Sequence, residues 1–332
     1  MFQNFERKIS PATTLVTAAM CSAIAIIFSV IGLYLPVLSI IAFLIVPIPI
    51  AYVCLRFGMK WGWLVSVTVL LLDSILFDIL SVAFASATFC LLGLMLGFCY
   101  QKKYSAVKTL WLSVIVSAGT LIAQFAIASL FTGADLSIFL GNIPPELNQE
   151  IDTILTGVYS GSDLEMVKIQ VNETLNLIVK ALPFSFFLVA VFQAFAPMWL
   201  CRKIFNKLGI SNIPYFSPFY SWQFSPFIVY TYIAVILGKI LFQSIGIWRV
   251  DYESVILNIS LLCMWIMWLQ GLSVLWWATY YKPTWRTWRW PIVIGSFILP
   301  LIQFIVAGAG AWDMITGYRK KAEKLKNTHT VS

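Results

Sequence analysis

A chain of 332 residues with 60% apolar and only 11% charged side chains cannot cover a water-facing surface, because soluble domains carry charge on about a quarter of their residues. Its formal charge of +8 does not mark a nucleic-acid binder. The basic residues are split among segments that flank apolar runs, where they set topology and meet anionic lipid headgroups.

Apolar runs of about 20 residues recur, the length that a helix rising ~1.5 Å per residue needs to cross ~30 Å of hydrocarbon. Inside hydrocarbon the backbone must satisfy itself, so these runs are expected to be helices. The first covers residues 11–31 and leads straight into a second at 37–55, so no processing of a signal peptide is expected. The first presents Thr14, Ala18, Ser22 and Ala25 beside Ala19 and Ala23. Small residues spaced by four let helices approach closely in lipid, either within this bundle or against a second membrane subunit. In the second run Pro47-Ile-Pro49 predicts a kink, since proline lacks the donor and clashes with the preceding turn.

The third run, 61–80, contains Asp73, where an ionised carboxylate is costly without a partner or water. It is expected to be neutral, to bind a cation, to help hold a substrate, to serve as a structural hydrogen-bonding group, or to sit in an aqueous outer cavity that tolerates it. Asp78 lies nearer the run's end, and five residues of separation do not make the two a catalytic pair. Further runs follow at 82–100, 107–131, about 181–200, 226–247, about 255–280 and 291–312. Gln124, Gln193, Gln270 and Gln303 interrupt apolar stretches; with Asp73, the first three are candidates for a polar cavity. Each glutamine equally suits a link between helices. Between 132 and 180 lies an acidic connection in which Leu164, Val167, Val171, Leu175 and Ile178 recur at helical spacing. It reads as a lid or a cap over helix ends.

Basic residues orient the bundle. Arg7 and Lys8, Arg56 and Lys60, Lys102, Lys103 and Lys108, and Arg202, Lys203 and Lys207 fall at alternate ends of the runs, which places the N-terminus in the cytoplasm and the 132–180 loop outside. The last segment conflicts with this pattern. Lys282, Arg286 and Arg289 belong inside, and so does the tail of Arg319, Lys320, Lys321, Lys324 and Lys326. Both cannot hold if 291–312 crosses once. Pro300, Gly308 and Gly310 admit a re-entrant pair of half-helices, while an ordinary ninth helix is the simpler geometry. The expectation is an all-α, polytopic transmembrane helix bundle of eight or nine spans.

The six cysteines form no metal-ligand spacing and the one histidine, His329, lies far down the tail, so no metal centre or disulfide framework is expected. No phosphate-binding loop, dinucleotide fingerprint or catalytic elbow occurs. No cofactor and no enzymatic activity are expected, and any ATP-driven work would need a partner.

The first helix with its Ala19/Ala23 surface, Pro47-Ile-Pro49 followed by Arg56 and Gly58, Gln270-Gly271-Leu272-Ser273, and Trp312-Asp313 followed by Arg319-Lys320 together resemble the bacterial DUF2232, or YybS-like, membrane protein family. That family is similar in its N-terminal region to the substrate-binding S components of energy-coupling factor transporters. The resemblance implies an S-component-like six-helix region over 1–200, including the extracytoplasmic loop 132–180, and appended helices with a basic tail over 201–332. It further implies an unknown small-molecule ligand, a partner-docking face at Ala19 and Ala23, and an energy-coupling membrane subunit with ATPases as partners in the bacterial cytoplasmic membrane. A membrane scaffold or signalling and assembly protein is the alternative.

Overall fold

The computed structural model describes residues 10–77, 79–132, 145–210, 213–245, 251–281 and 283–322. Among them the backbone forms thirteen α-helices and no strand, as hydrocarbon requires of a chain that must pair its own amides. Seven helices are long and apolar enough to cross a membrane, or up to eight if a bent pair near the C-terminus counts as one span. The chain is therefore an all-α, multi-pass membrane protein. It folds as two compact units, Met1–Ala134 with Phe186–Phe216, and Asp135–Ser185 with Ser217–Ser332.

In the first unit, α1 (Pro11–Tyr34) starts at Ser10, whose hydroxyl accepts the Thr13 N–H at 3.2 Å. Thr14, Ala18, Ser22 and Ala25 are buried, whereas Ala19 and Ala23 are exposed. The small-residue stripe thus divides into a face that packs inside the bundle and a face that does not. At its prolines the second span is interrupted but not sharply bent: α2 (Pro36–Ile45) ends at Val46, itself in helical conformation, α3 (Pro47–Phe57) restarts with Pro47 in the first turn, where no amide donor is needed, and Val37–Phe57 counts as one span. Gly58, at φ 101, closes α3 and leads into α4 (Met59–Leu76).

The pairing of α3 with α4 and with α5 (Ile79–Gln101) depends on missing side chains. A methyl on Gly62 would lie 2.0 Å from Cys54 Sγ, and one on Gly97 would lie 2.2 Å from Cys54 Cβ. Neither fits, so the Cys54 side chain of α3 packs directly on the glycines of α4 and α5. The unit is completed by α6 (Ala106–Thr132) and by most of α9 (Leu182–Lys207).

The second unit holds α7 (Pro145–Val158) and α8 (Ser162–Lys180), then α10 (Phe227–Ile245) and α11 (Asp251–Tyr281). The periodic stripe of α8 folds as the helix it predicts, with Leu164, Val167, Val171 and Leu175 half-buried. Its end is tied to α11: Asn258 donates to the Lys180 carbonyl at 2.7 Å and Lys180 pairs with Glu253 at 2.5 Å.

An unbroken ninth helix over 291–312 is not what forms. A 3₁₀ turn (Pro283–Trp288) leads into α12 (Arg289–Ile298), and α13 (Pro300–Thr316) follows after a break. The two arms are bent by 115°. Leu299 is extended and Pro300 cannot donate into the preceding turn, which stops α12. Gly308 and Gly310 do not break α13; a methyl on Gly310 would lie 2.0 Å from the Met267 carbonyl, and one on Gly271 would lie 1.9 Å from the Val306 carbonyl. Those glycines bring α11 and α13 into backbone contact.

Both ends of the bent pair reach the same level of α11. Near its start, Trp290 stacks edge-on against Trp276 at 6.1 Å; past its end, Tyr318 meets the adjacent Trp277 at 6.0 Å. Arg289 donates to Thr279 and Arg319 to Ser273, positions ~9 Å apart along a helix axis. A crossing would separate those ends by ~30 Å. The pair has the geometry of a re-entrant loop, and in such a loop Arg286 and Arg289 would share a side with Arg319 and Lys320. The conflict in the basic-residue pattern would then disappear with the ninth crossing. Cysteines introduced at Arg286 and Lys320 should react with an impermeant thiol reagent from the same side of sealed vesicles, over a low background from six buried native thiols. Labelling from opposite sides would show a true ninth span.

Candidate functional site

Asp73 is placed in the interior by the register of α4. Gly62, Val65, Ser66, Val69 and Asp73 recur at three- and four-residue spacing and are all buried, so the carboxylate lies on the core-facing stripe. The other two groups come from neighbouring helices. Ser29 of α1 donates to Asp73 Oδ2 at 2.7 Å, Ser86 of α5 donates to the same oxygen at 2.6 Å, and the two hydroxyls are 3.0 Å apart. Asp73, Ser29 and Ser86 are all 0% exposed, and Asp73 Oδ1 has no hydrogen-bond partner. The Ser66 hydroxyl, two turns earlier on α4, is also buried without one.

Two of the candidate glutamines join this unit by other pairs. Gln124 of α6 donates to Thr88 of α5 at 2.5 Å, and Ser117 of α6 donates to Gln193 of α9 at 2.6 Å. Polar links therefore run from α1 through α4, α5 and α6 to α9, one helix boundary at a time. Gln270 belongs to the second unit and to a different network. Asp78 lies outside the described residues.

That network is centred on Asp313 and Arg319, 5% and 1% exposed. Arg319 Nε reaches Asp313 Oδ2 at 2.9 Å and its backbone N–H reaches Oδ1 at 3.3 Å. Gln270 Nε2 donates to Oδ2 at 2.6 Å, while its Oε1 accepts the Phe224 N–H at 3.1 Å. The rest of the guanidinium caps the connection before α10, donating to the carbonyls of Tyr220 (2.7 Å) and Trp222 (2.6 Å) and to Ser273 Oγ (2.8 Å). All three guanidinium nitrogens donate, in the fork geometry that a lysine lacks. In sequence Arg319 is one of several tail cations. The signal that separates it is Gly317, left-handed at φ 58, which ends α13 and turns the following residue back onto Asp313.

Sequence reasoning also passed over Lys239, which sits within α10 and lines an apolar groove of about 480 Å³ with Phe227, Tyr230 and Phe242. Among the described residues no three His, Cys, Asp or Glu side chains gather as a metal-binding group.

A family model described as "Predicted membrane protein (DUF2232)" matches residues 23–314. The chain is 22% identical over 316 residues to a Bacillus subtilis (strain 168) protein called "Uncharacterized protein YybS", covering 93% of this chain and 98% of that one. No solved structure matches. The short motifs that carried the resemblance acquire a physical role here: Gln270, Gly271, Ser273, Asp313 and Arg319 are one packed network.

Removing one member of a buried ion pair strands the other charge. Arg319→Ala and Asp313→Ala should each lower unfolding stability in detergent by about 3–5 kcal/mol, and an apolar Asp313→Leu/Arg319→Met pair by distinctly less. Single variants as stable as the parent would show that the pair does not seal the second unit.

Proposed function

The chain belongs to the DUF2232 family, and from that premise we propose that it is a membrane-embedded transporter or transport subunit for a small solute, with its binding region in the first unit. The observation behind this reading is the Asp73, Ser29 and Ser86 cluster, a carboxylate withdrawn from water on a helix that crosses the membrane. Intramembrane ionisable groups are costly and commonly mark solute or ion pathways. The neighbouring pairs of Gln124 with Thr88 and Gln193 with Ser117 extend polar chemistry across the unit and can exchange partners with a solute. The family description and the relative's name contain no activity, so the reading rests on this geometry and on the S-component resemblance.

In this account the first six spans act as an S-component-like binding module, and the exposed Ala19 and Ala23 face of α1 docks a transmembrane coupling subunit served by cytoplasmic ATPases. The chain itself performs no covalent chemistry. Eight crossings, counting α5 and treating α12 and α13 as re-entrant, keep both termini in the cytoplasm of a bacterial cell and agree with its basic residues. A scaffold is the second reading. It is favoured by α10, of which only 6% of the apolar window is buried within the protein, a surface suited to another membrane protein.

Affinity purification from native membranes in mild detergent, with mass spectrometry of proteins and small molecules, separates the two. Transport requires a coupling subunit with ATPases, or a stoichiometric metabolite whose retention drops in Asp73→Asn while folded yield holds. Reproducible capture of envelope or signalling proteins by an empty bundle would instead establish the scaffold. Labels at Asn148 and Ser162 should report the outside and one at Lys103 the cytoplasm; reversed accessibility would invert the topology.

A further inference from the structure

The chain contains its own control for Asp73. Asp313 is a buried carboxylate in a structural role, and it is neutralised: Arg319 reaches both of its oxygens, and Gln270 adds a third donor. Asp73 is at least as buried, yet among the described residues it forms no ion pair. Both seryl hydroxyls fall on Oδ2 and Oδ1 receives nothing.

In neither protonation state does the protein supply a partner for Oδ1. An ionised Asp73 leaves a full charge and an orphaned acceptor in a low-dielectric interior. A neutral Asp73 protonated on Oδ1 carries an O–H with no acceptor. One protonated on Oδ2 can close a ring of three O–H donors with Ser29 and Ser86, whose 3.0 Å contact takes a hydrogen bond in either direction, and still leaves Oδ1 without a donor. What the ionised form lacks is a positive group close to Oδ1 and the hydroxyls.

We propose that Asp73, Ser29 and Ser86 form a binding site for a small monovalent cation, sodium in the first instance. The donor set is all oxygen, which suits a hard cation rather than a transition metal. It carries a single negative charge. A monovalent ion makes the assembly neutral, whereas a divalent ion would leave a net positive charge in hydrocarbon, where an uncompensated charge is expensive. Ser29 Oγ, Ser86 Oγ and Asp73 Oδ2 form a triangle with edges of 2.7, 2.6 and 3.0 Å. A small ion can sit on its face, while a large one must spread it. Each hydroxyl keeps donating to Oδ2 while its free lone pairs face the ion, and Oδ1 completes the set.

The ligands come from α1, α4 and α5, so occupancy adds a shared ligand to three helices that also pack through Ala25, Val69 and Cys90. Asp73 lies ~5 Å from the end of α4, a short path for an ion from that face. The proposal rests on the transport reading for its use and deepens it: the ion would couple solute binding to closure of the first unit.

The test uses the purified full chain in detergent, with sodium chloride titrated against choline chloride at constant ionic strength. Unfolding temperature and direct 22Na+ binding are the readouts. A ligand that binds only the folded state raises the unfolding temperature as its concentration passes the dissociation constant. Sodium should therefore give a saturable rise that potassium and choline do not match. Asp73→Asn should abolish 22Na+ binding. Ser86→Ala keeps the charge and removes one ligand, so it should weaken binding about tenfold, which corresponds to ~1.4 kcal/mol; it also keeps the test valid should Asp73→Asn fold poorly. Absence of 22Na+ binding by folded wild type overturns the proposal, as does a rise that follows pH and ignores sodium. Solute uptake that depends on Asp73 but not on sodium would sink the ion site and leave transport standing. Sodium binding by a chain that holds no solute would do the reverse.

Discussion

A polar atom drawn into hydrocarbon has no water to return to, so it must find a partner on another helix or be left at a cost of kilocalories. That constraint determines where the helices of this protein touch. Ser29 and Ser86 meet at Asp73, Thr88 meets Gln124, Ser117 meets Gln193, and Gln270 and Arg319 meet at Asp313. Since lipid is as apolar as leucine, burial of apolar surface does little to choose one helix neighbour over another. Hydrogen bonds and glycine contacts make that choice. Gly62 and Gly97 admit Cys54, and Gly271 and Gly310 admit the backbones of α13 and α11.

The two units obey the constraint to different degrees. Around Arg319 it is met in full: the guanidinium holds a carboxylate, a serine and two backbone carbonyls, and closes the connection before α10 against α11 and α13. In that network every guanidinium nitrogen and both carboxylate oxygens have a partner within the protein. Around Asp73 it is met in part, with one carboxylate oxygen supplied twice and the other not at all. A buried group that the fold leaves incomplete is where an exchangeable ligand gains most, because the ligand supplies what the protein lacks. Within a single chain, the incomplete carboxylate thus lies in the first unit and the sealed one in the second.

Depth in the membrane was legible in the sequence; partnership was not. Hydropathy placed the long helices within a few residues, Pro47 announced the break in the second span, and Asp73 stood out because one carboxylate interrupts an apolar run. Which side chains pair across helices depends on rotation about each axis and on neighbours distant in sequence, and periodicity reports neither. Gln124, Gln193 and Gln270 therefore looked equivalent, although the first two bridge helices of one unit and the third locks the other. Arg319 was hidden among tail cations, since only the left-handed turn at Gly317 returns it to the core. The re-entrant pair left a trace in sequence, in the clash between two basic clusters and a proline at 300, but an unbroken helix satisfied hydropathy equally well.

Infrared difference spectroscopy of Asp73 separates an ion ligand from a structural hydrogen bond. Spectra of the full chain with sodium minus spectra with choline, compared between wild type and Asp73→Asn, isolate the response of one carboxyl group to the ion. Carboxylate stretching bands should shift on sodium addition and vanish in the variant. A protonated carbonyl band that is present in wild type, absent in Asp73→Asn and indifferent to sodium would contradict the ion site, and would make Asp73 a neutral structural link between α1, α4 and α5.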